Sequence, residues 1–241
     1  LDPSRVLLDA KVCSIAFGPD GVIVGTEGPR GAERLSAGRI ILALPPRLIA
    51  DRIAFTPALP APIMQIFRSV PTWMAGHAKL VAVYARPFWR EVGLSGDAIS
   101  HRGPLMELHD ATDEATGTPA LFGFVMPGAS RKPGFRRAAC AQLRELFGPE
   151  AATPEHLLIR DWSAELHTAT AADAAPPPGH PGYGFSSDVT RAIAEWSGGR
   201  MILAGTEATS DEGGFLEGAL AAADAAVAEI ARPPPVRHPV P

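Results

Sequence analysis

Arg200–Ile230, RMILAGTEATSDEGGFLEGALAAADAAVAEI, is the stretch whose reading decides the fold. Met201-Ile202-Leu203-Ala204 is a short apolar run of the kind that forms a buried strand. Gly205-Thr206-Glu207 interrupts it, and Thr209-Ser210-Asp211-Glu212-Gly213-Gly214 is a turn-rich loop. From Phe215 on, Leu, Ala and Val dominate, with acidic residues spaced along what reads as an alanine-rich helix. A buried strand thus delivers a glycine-rich loop to the start of a helix. Unpaired N–H groups and a partial positive charge at such a start favour a flat or anionic ligand. Strand–loop–helix corners are common, so the rest of the chain has to decide what this one does.

The chain has 241 residues, a formal net charge of −4 and 46% hydrophobic residues, which suits one large soluble domain or two interleaved ones. Mild acidity without a basic run argues against nucleic acid as a main partner. No apolar run reaches the ~18 residues of a membrane-spanning helix. Cys13 and Cys140, only two and far apart, read as free, buried thiols of a cytoplasmic protein. The sequence opens on Leu1 with neither an initiator Met nor a signal-like segment, and so reads as part of something longer or a processed piece. The proline-rich residues 232–241 read as a disordered end.

Taken in order, Arg5–Leu8, Val12–Phe17 and Val22–Thr26 are β-type runs, with Pro19-Asp20-Gly21 as a hairpin turn. Arg39–Leu44 is continuously apolar after its arginine and stops at Pro45-Pro46, as a strand buried on both faces would. Arg47–Arg52 and Ile63–Ser69 read as helices. A second block follows: strands at Ala78–Tyr84, Ile99–His101, Leu105–His109 and Ala120–Val125, a helix at Arg136–Phe147 stopped by Gly148-Pro149, and a strand at His156–Trp162. A long irregular loop, Pro176–Gly184, leads to a short helix at Val189–Trp196 and back to the opening stretch; loops of this length often line a site. The chain leaves a first domain, builds a second and returns.

Several chemistries are missing. Gly-x-Gly-x-x-Gly between a strand and a helix does not occur, since Gly182-x-Gly184 lies in a proline-rich loop without a third glycine. Walker-type Gly-Lys-Ser/Thr, paired Cys or His metal spacing and Gly-x-Ser-x-Gly are also absent.

Three segments together are more specific than any one: IILALPPRLIADRIAFTPALP (Ile40–Pro60), KLVAVYARPFW (Lys79–Trp89) and AGTEATSDEGGFLEGA (Ala204–Ala219). In this order and spacing they resemble the C-terminal portion of flavin-dependent amine oxidases of the monoamine oxidase type, over about Arg5 to Ile230. The resemblance implies an α+β and α/β architecture, with a mixed-sheet substrate domain inserted into a discontinuous FAD-binding domain. Residues 1–68 and 165–231 would belong to the FAD-binding domain and 69–164 to the substrate domain. It implies oxidation of the carbon beside an amine nitrogen by FAD, hydrolysis of the imine, and reoxidation by oxygen with release of hydrogen peroxide. Lys79 matches the lysine that holds a water near the flavin N5. Phe215 falls where an aromatic walls the substrate cage, which suits a neutral or apolar amine. Trp162 matches a tryptophan beside the isoalloxazine. Gly205, Thr206 and Glu207 match the segment that meets the ribityl–pyrophosphate part. Gly214, Phe215 and Leu216 would face the pyrimidine end at the helix start. Val12 lies where backbone clasps the adenine.

The chain also departs from the family pattern. The position of the cysteine that attaches FAD in some members falls near Ala171, which implies non-covalent FAD. The second cage aromatic falls near Ala172, with Tyr183 as a nearby substitute. The glycine fingerprint is missing, so a partner segment or chain would have to supply it. No arginine stands where a carboxylate clamp could be assigned, which leans towards plain amines. Two other readings remain: a non-catalytic module acting through association with a partner or with itself, and another FAD oxidoreductase of the desaturase or protoporphyrinogen oxidase type.

Overall fold

The computed structural model describes residues 2–175, 177 and 179–231. The tail 232–241, expected to be disordered, lies outside the described residues. Two compact units result: Leu1–Thr72 with Gly179–Pro241, and Trp73–Pro178 between them in sequence.

The first unit begins with a 3-10 turn at Pro3–Arg5, where Asp2 accepts the Ser4 N–H. Arg5–Leu8 is therefore not a strand, because Asp-Pro is a cap followed by a ring with φ preset for a helical turn. Then come β1 (Lys11–Gly18), β2 (Gly21–Gly28), β3 (Gly31–Ala37), β4 (Ile40–Leu42), α1 (Pro46–Arg52), β5 (Ala54–Thr56) and α2 (Ala61–Ser69). The Pro19-Asp20 turn pairs Gly18 with Gly21, as the sequence implies. β1, β2 and β3 form an antiparallel meander and β5 joins β1 in parallel, giving the order β3-β2-β1-β5. Neither β3 nor β5 is evident in the sequence: Gly31–Ala37 has few apolar residues and is almost wholly exposed, and β5 is only 3 residues long.

The second unit contains β6 (Ala78–Val83), α3 (Phe88–Glu91), β7 (Ala98–Ile99), β8 (Leu105–Asp110), β9 (Ala120–Val125), α4 (Phe135–Phe147) and β10 (His156–Asp161). Its five strands run in the order β10-β6-β9-β8-β7, all pairs antiparallel. The pairing of mixed direction lies instead in the meander sheet of the first unit. On β6, Ala78, Leu80 and Ala82 are buried, while Lys79, Val81 and Val83 alternate onto the other face. The buried side packs with Phe135, Ala139, Leu143 and Phe147 of α4 in one core. Gln142 is buried there with its hydrogen bonds made: its Oε1 accepts from Leu105 N at 2.8 Å, and its Nε2 donates to the Arg102 and Leu105 carbonyls at 2.7 Å each.

Trp89, fully buried, donates Nε1–H to Asp110 at 2.7 Å, and Arg90 and the Thr112 N–H donate to the same carboxylate. Burial pushes the Asp110 carboxyl up, but these donors more than offset it and hold it well below the ordinary carboxylate range. Residues 165–178 fall in this unit rather than with the returning segment. Glu165 pairs with Arg160 of β10, and a 3-10 turn at Ala171–Ala174 is fixed by a Thr170–Asp173 capping box.

The return to the first unit comprises α5 (Ser187–Ser197), β11 (Met201–Leu203) and α6 (Leu216–Ala231). Ser186 caps α5 and left-handed Gly198 ends it. β11 pairs in parallel with β4, Met201 opposite Ile40 and Leu203 opposite Leu42. Among the described residues this sheet has two strands, and β4 is not buried on both faces as its sequence implies: Leu42 enters the core while Ile41 stays 41% exposed. Arg200 ties the return to the meander by donating to the carbonyls of Gly18 and Pro19 at the β1–β2 turn.

Candidate functional site

After β11, Thr206–Ala208 forms one 3-10 turn, and the chain loops to α6. Thr206 closes this loop on itself. Its Oγ1 donates to the Phe215 carbonyl at 2.9 Å and accepts from the Gly214 N–H at 2.8 Å. Close approach explains two glycines. A Cβ at Gly213 would lie 2.5 Å from Cβ of Tyr183, and one at Gly218 would lie 2.2 Å from the Glu212 carbonyl oxygen. Glu212 itself has φ of 52°, a left-handed conformation uncommon for a residue with a side chain. Glu207 is buried at 4% exposure, and its carbonyl accepts the Gly184 N–H at 3.1 Å. Leu216, at 85% exposure, opens α6, whose first-turn N–H groups the helix itself leaves unpaired.

Phe215 is 47% exposed, and one ring face is covered from within the unit. His180 stacks on it at 4.8 Å with the planes 4° apart, and Tyr183 meets His180 edge-on at 5.5 Å. The Tyr183 hydroxyl donates to the Pro71 carbonyl at 2.8 Å. The ring against Phe215 is therefore that of His180, which the sequence does not single out. A cleft of about 420 Å³ runs beside Tyr183 and is walled by Leu203, Thr209, Ser210 and the Ala221–Ala222 stretch of α6.

In the second unit, Lys79 of β6 lies on the face away from the core, 5.5 Å from the Phe124 ring centre and 5.9 Å from that of Phe122. Trp162 opens a 3-10 turn after β10, with the Arg160 guanidinium 5.5 Å from its ring centre. The Trp162 backbone N–H donates to the His77 carbonyl at 3.1 Å. Nδ1 of His77 is buried without a hydrogen-bond partner among the described residues. Burial first, and then the Lys79 charge, hold this imidazole below the ordinary histidine range.

Val12 sits apart from the loop, in the meander sheet. β5 borders β1 only from Ser14 to Ala16, so Val12 keeps one backbone edge without a partner strand among the described residues. Ala171 and Ala172 lie on the capped turn of the second unit. Cys13 on β1 and Cys140 on α4 are free thiols, both pushed up by desolvation.

The family model for flavin containing amine oxidoreductases matches residues 1–231. The chain belongs to the flavin-containing amine oxidoreductase family. Among similar proteins, a flavin-containing amine oxidase of Danio rerio is 32% identical over 94% of this chain and 43% of its own length. An L-amino acid dehydrogenase of Synechocystis is 31% identical over 94% of this chain and 47% of its own. The solved cyclohexylamine oxidase of Brevibacterium oxydans has a TM-score of 0.72 and 29% identity, covering 95% of this chain and 50% of that one. The chain thus has the amine oxidoreductase fold and spans about half the length of the relatives it matches.

Proposed function

We propose that the chain forms part of a flavin-dependent oxidase that converts an amine to an imine, and after hydrolysis to a carbonyl compound. The observation that carries this reading is the loop pinned by Thr206, which sets a glycine pair, a half-exposed Phe215 and the exposed first turn of α6 side by side. A flavin fits these residues. N–H groups without an intrahelical partner, at the positive end of a 16-residue helix, suit the electron-rich edge of its pyrimidine ring. Gly205, Thr206, Glu207, Gly214, Phe215 and Leu216 would hold FAD in the first unit, with the open backbone edge at Val12 for the adenine. With no cysteine at Ala171 the attachment is non-covalent. Bound FAD supplies two-electron oxidation of the C–N unit, with dioxygen as final acceptor and hydrogen peroxide as by-product.

The second unit takes the substrate role. Trp162 flanks the reacting region, and Lys79, supported by two phenylalanine rings, holds and orients a water. Phe215 and Tyr183 shape the amine pocket. A further segment or chain carrying Gly-x-Gly-x-x-Gly contributes the pyrophosphate grip, and free Cys13 and Cys140 fit a cytoplasmic setting. Protein supplied with FAD and such a segment should show flavin absorbance and release peroxide on addition of amines. A colourless, silent mixture would remove the enzyme reading. Lys79→Met should slow turnover at least about ten-fold with flavin still bound; unchanged turnover would take Lys79 out of the mechanism.

A second reading has its own observation. On α6, Leu216, Leu220 and Val227 are 85%, 61% and 66% exposed, an apolar face that suits association with a partner chain or a second copy without catalysis. Light scattering that shows a defined complex lacking flavin would favour it.

A further inference from the structure

The outer face of the second unit's sheet holds two cations where strand pairing disfavours them. Lys79 on β6 is directly opposite Arg160 on β10, and both side chains lie on the face away from the core. Cβ atoms so placed are ~5 Å apart, and like charges there repel. The surroundings leave the repulsion unrelieved. Lys79 rests on Phe122 and Phe124 and has no carboxylate partner among the described residues. Arg160 lies over Trp162 and meets one carboxylate, Glu165, at 3.4 Å. Asp161 is next in sequence, but its charge is met by Arg131 at 3.8 Å, and it accepts from Ser130 at 2.8 Å and Ser163 at 2.6 Å. His77, whose carbonyl accepts the Trp162 backbone N–H, has its imidazole held below the ordinary histidine range by burial and by Lys79. The next carboxylate on this face, Glu107 two strands from Lys79, is engaged by His109 at 3.0 Å, so that at the pair itself two positive charges face one negative, on a surface of three aromatic rings.

We infer that this face binds a monocarboxylate between the Lys79 ammonium and the Arg160 guanidinium, with the ligand's apolar part on Phe122, Phe124 and Trp162. A guanidinium fork offers paired donors that match a carboxylate, and the ammonium's three N–H donors leave it able to hold a water as well. Since the proposed function has Lys79 hold a water near the flavin N5, where the carbon beside the amine is oxidised, a carboxylate that Lys79 touches lies near that carbon. The substrate class is then an amino acid rather than a plain amine. That last step rests on the proposed function; the carboxylate site does not.

Calorimetric titration of the full chain without flavin tests the site, with benzoate as probe and benzyl alcohol as its uncharged counterpart. Benzoate should bind at least about ten-fold more tightly, and Arg160→Gln should remove that advantage while Arg160→Lys keeps part of it. Glu165→Gln, which frees Arg160, should tighten benzoate, and this arm decides the matter if Arg160→Gln fails to fold. Equal affinity for the two probes, or no response to either variant, overturns the proposal. With flavin-loaded protein, phenylalanine should be oxidised in preference to phenethylamine. The reverse preference overturns the substrate class, whereas peroxide from neither compound counts against the proposed function and leaves the benzoate result standing.

Discussion

The second unit closes five strands and α4 over one core, whereas the first divides its strands between two sheets and keeps most of the exposed large apolar side chains. Ile23, Ile41, Leu44, Leu216, Leu220 and Val227 all lie in the first unit. The first unit packs a core of its own around Ile15, Ile49, Phe67 and Met201, and polar side chains reaching across the sequence tie it further. Arg200 holds the β1–β2 turn, Arg39 reaches the carbonyls of Glu229 and Ile230, and Thr206 closes the glycine loop. Both units have a packed core, and the first adds long-range polar ties to its own. A packing defect should therefore register in the unit whose core it opens, and lost hydrogen bonds should register locally in the first.

The largest effect is expected at Trp89. Trp89→Ala empties a fully buried site and takes one of three donors from Asp110, and should cost the second unit about 3–5 kcal/mol. Hydrogen exchange resolved by segment checks it, and equal loss of protection in both units would break the contrast. Thr206→Val removes a donor and an acceptor in one step. It should loosen the loop by about 1–2 kcal/mol, seen as faster exchange at residues 206–215, with Thr206→Ser close to the parent. If Val and Ser behave alike, the hydroxyl does not close the loop. The smallest effect is expected at Leu220. Leu220→Ser should change stability by no more than about 0.5 kcal/mol while lowering the binding of an apolar dye; a large stability loss would mean that the outer face of α6 is already packed.

Much of this fold was legible because local chemistry agreed with it. Pro19-Asp20-Gly21 can hardly be anything but a turn, Gly148 ends α4 where its apolar spacing stops, and the alternation on β6 separates Lys79 from Leu80. The misreadings have physical causes. Gly31–Ala37 pairs through its backbone and shows little apolar patterning, so no side-chain signal reveals β3. Arg39–Leu44 has the composition of a strand covered on both sides, yet only β11 pairs with it here. At the candidate site, the loop after β11 was readable as a loop. The Thr206 closure, the stack of His180 on Phe215 and the Lys79–Arg160 pair were not, because each joins residues that only the folded chain brings together.

Helix α6 shows what the ties accomplish mechanically. Its inward positions, Gly218, Ala222 and Ala226, are small, so its backbone can lie close to its neighbours with little side-chain interlock to stop it sliding. Thr206 grips the chain just before the helix and Arg39 grips its last turn, roughly 24 Å away at 1.5 Å per residue. A rod on a smooth bed, clamped at both ends, can neither slip along its axis nor pivot. The position of its first turn is thereby tied to a guanidinium at its far end.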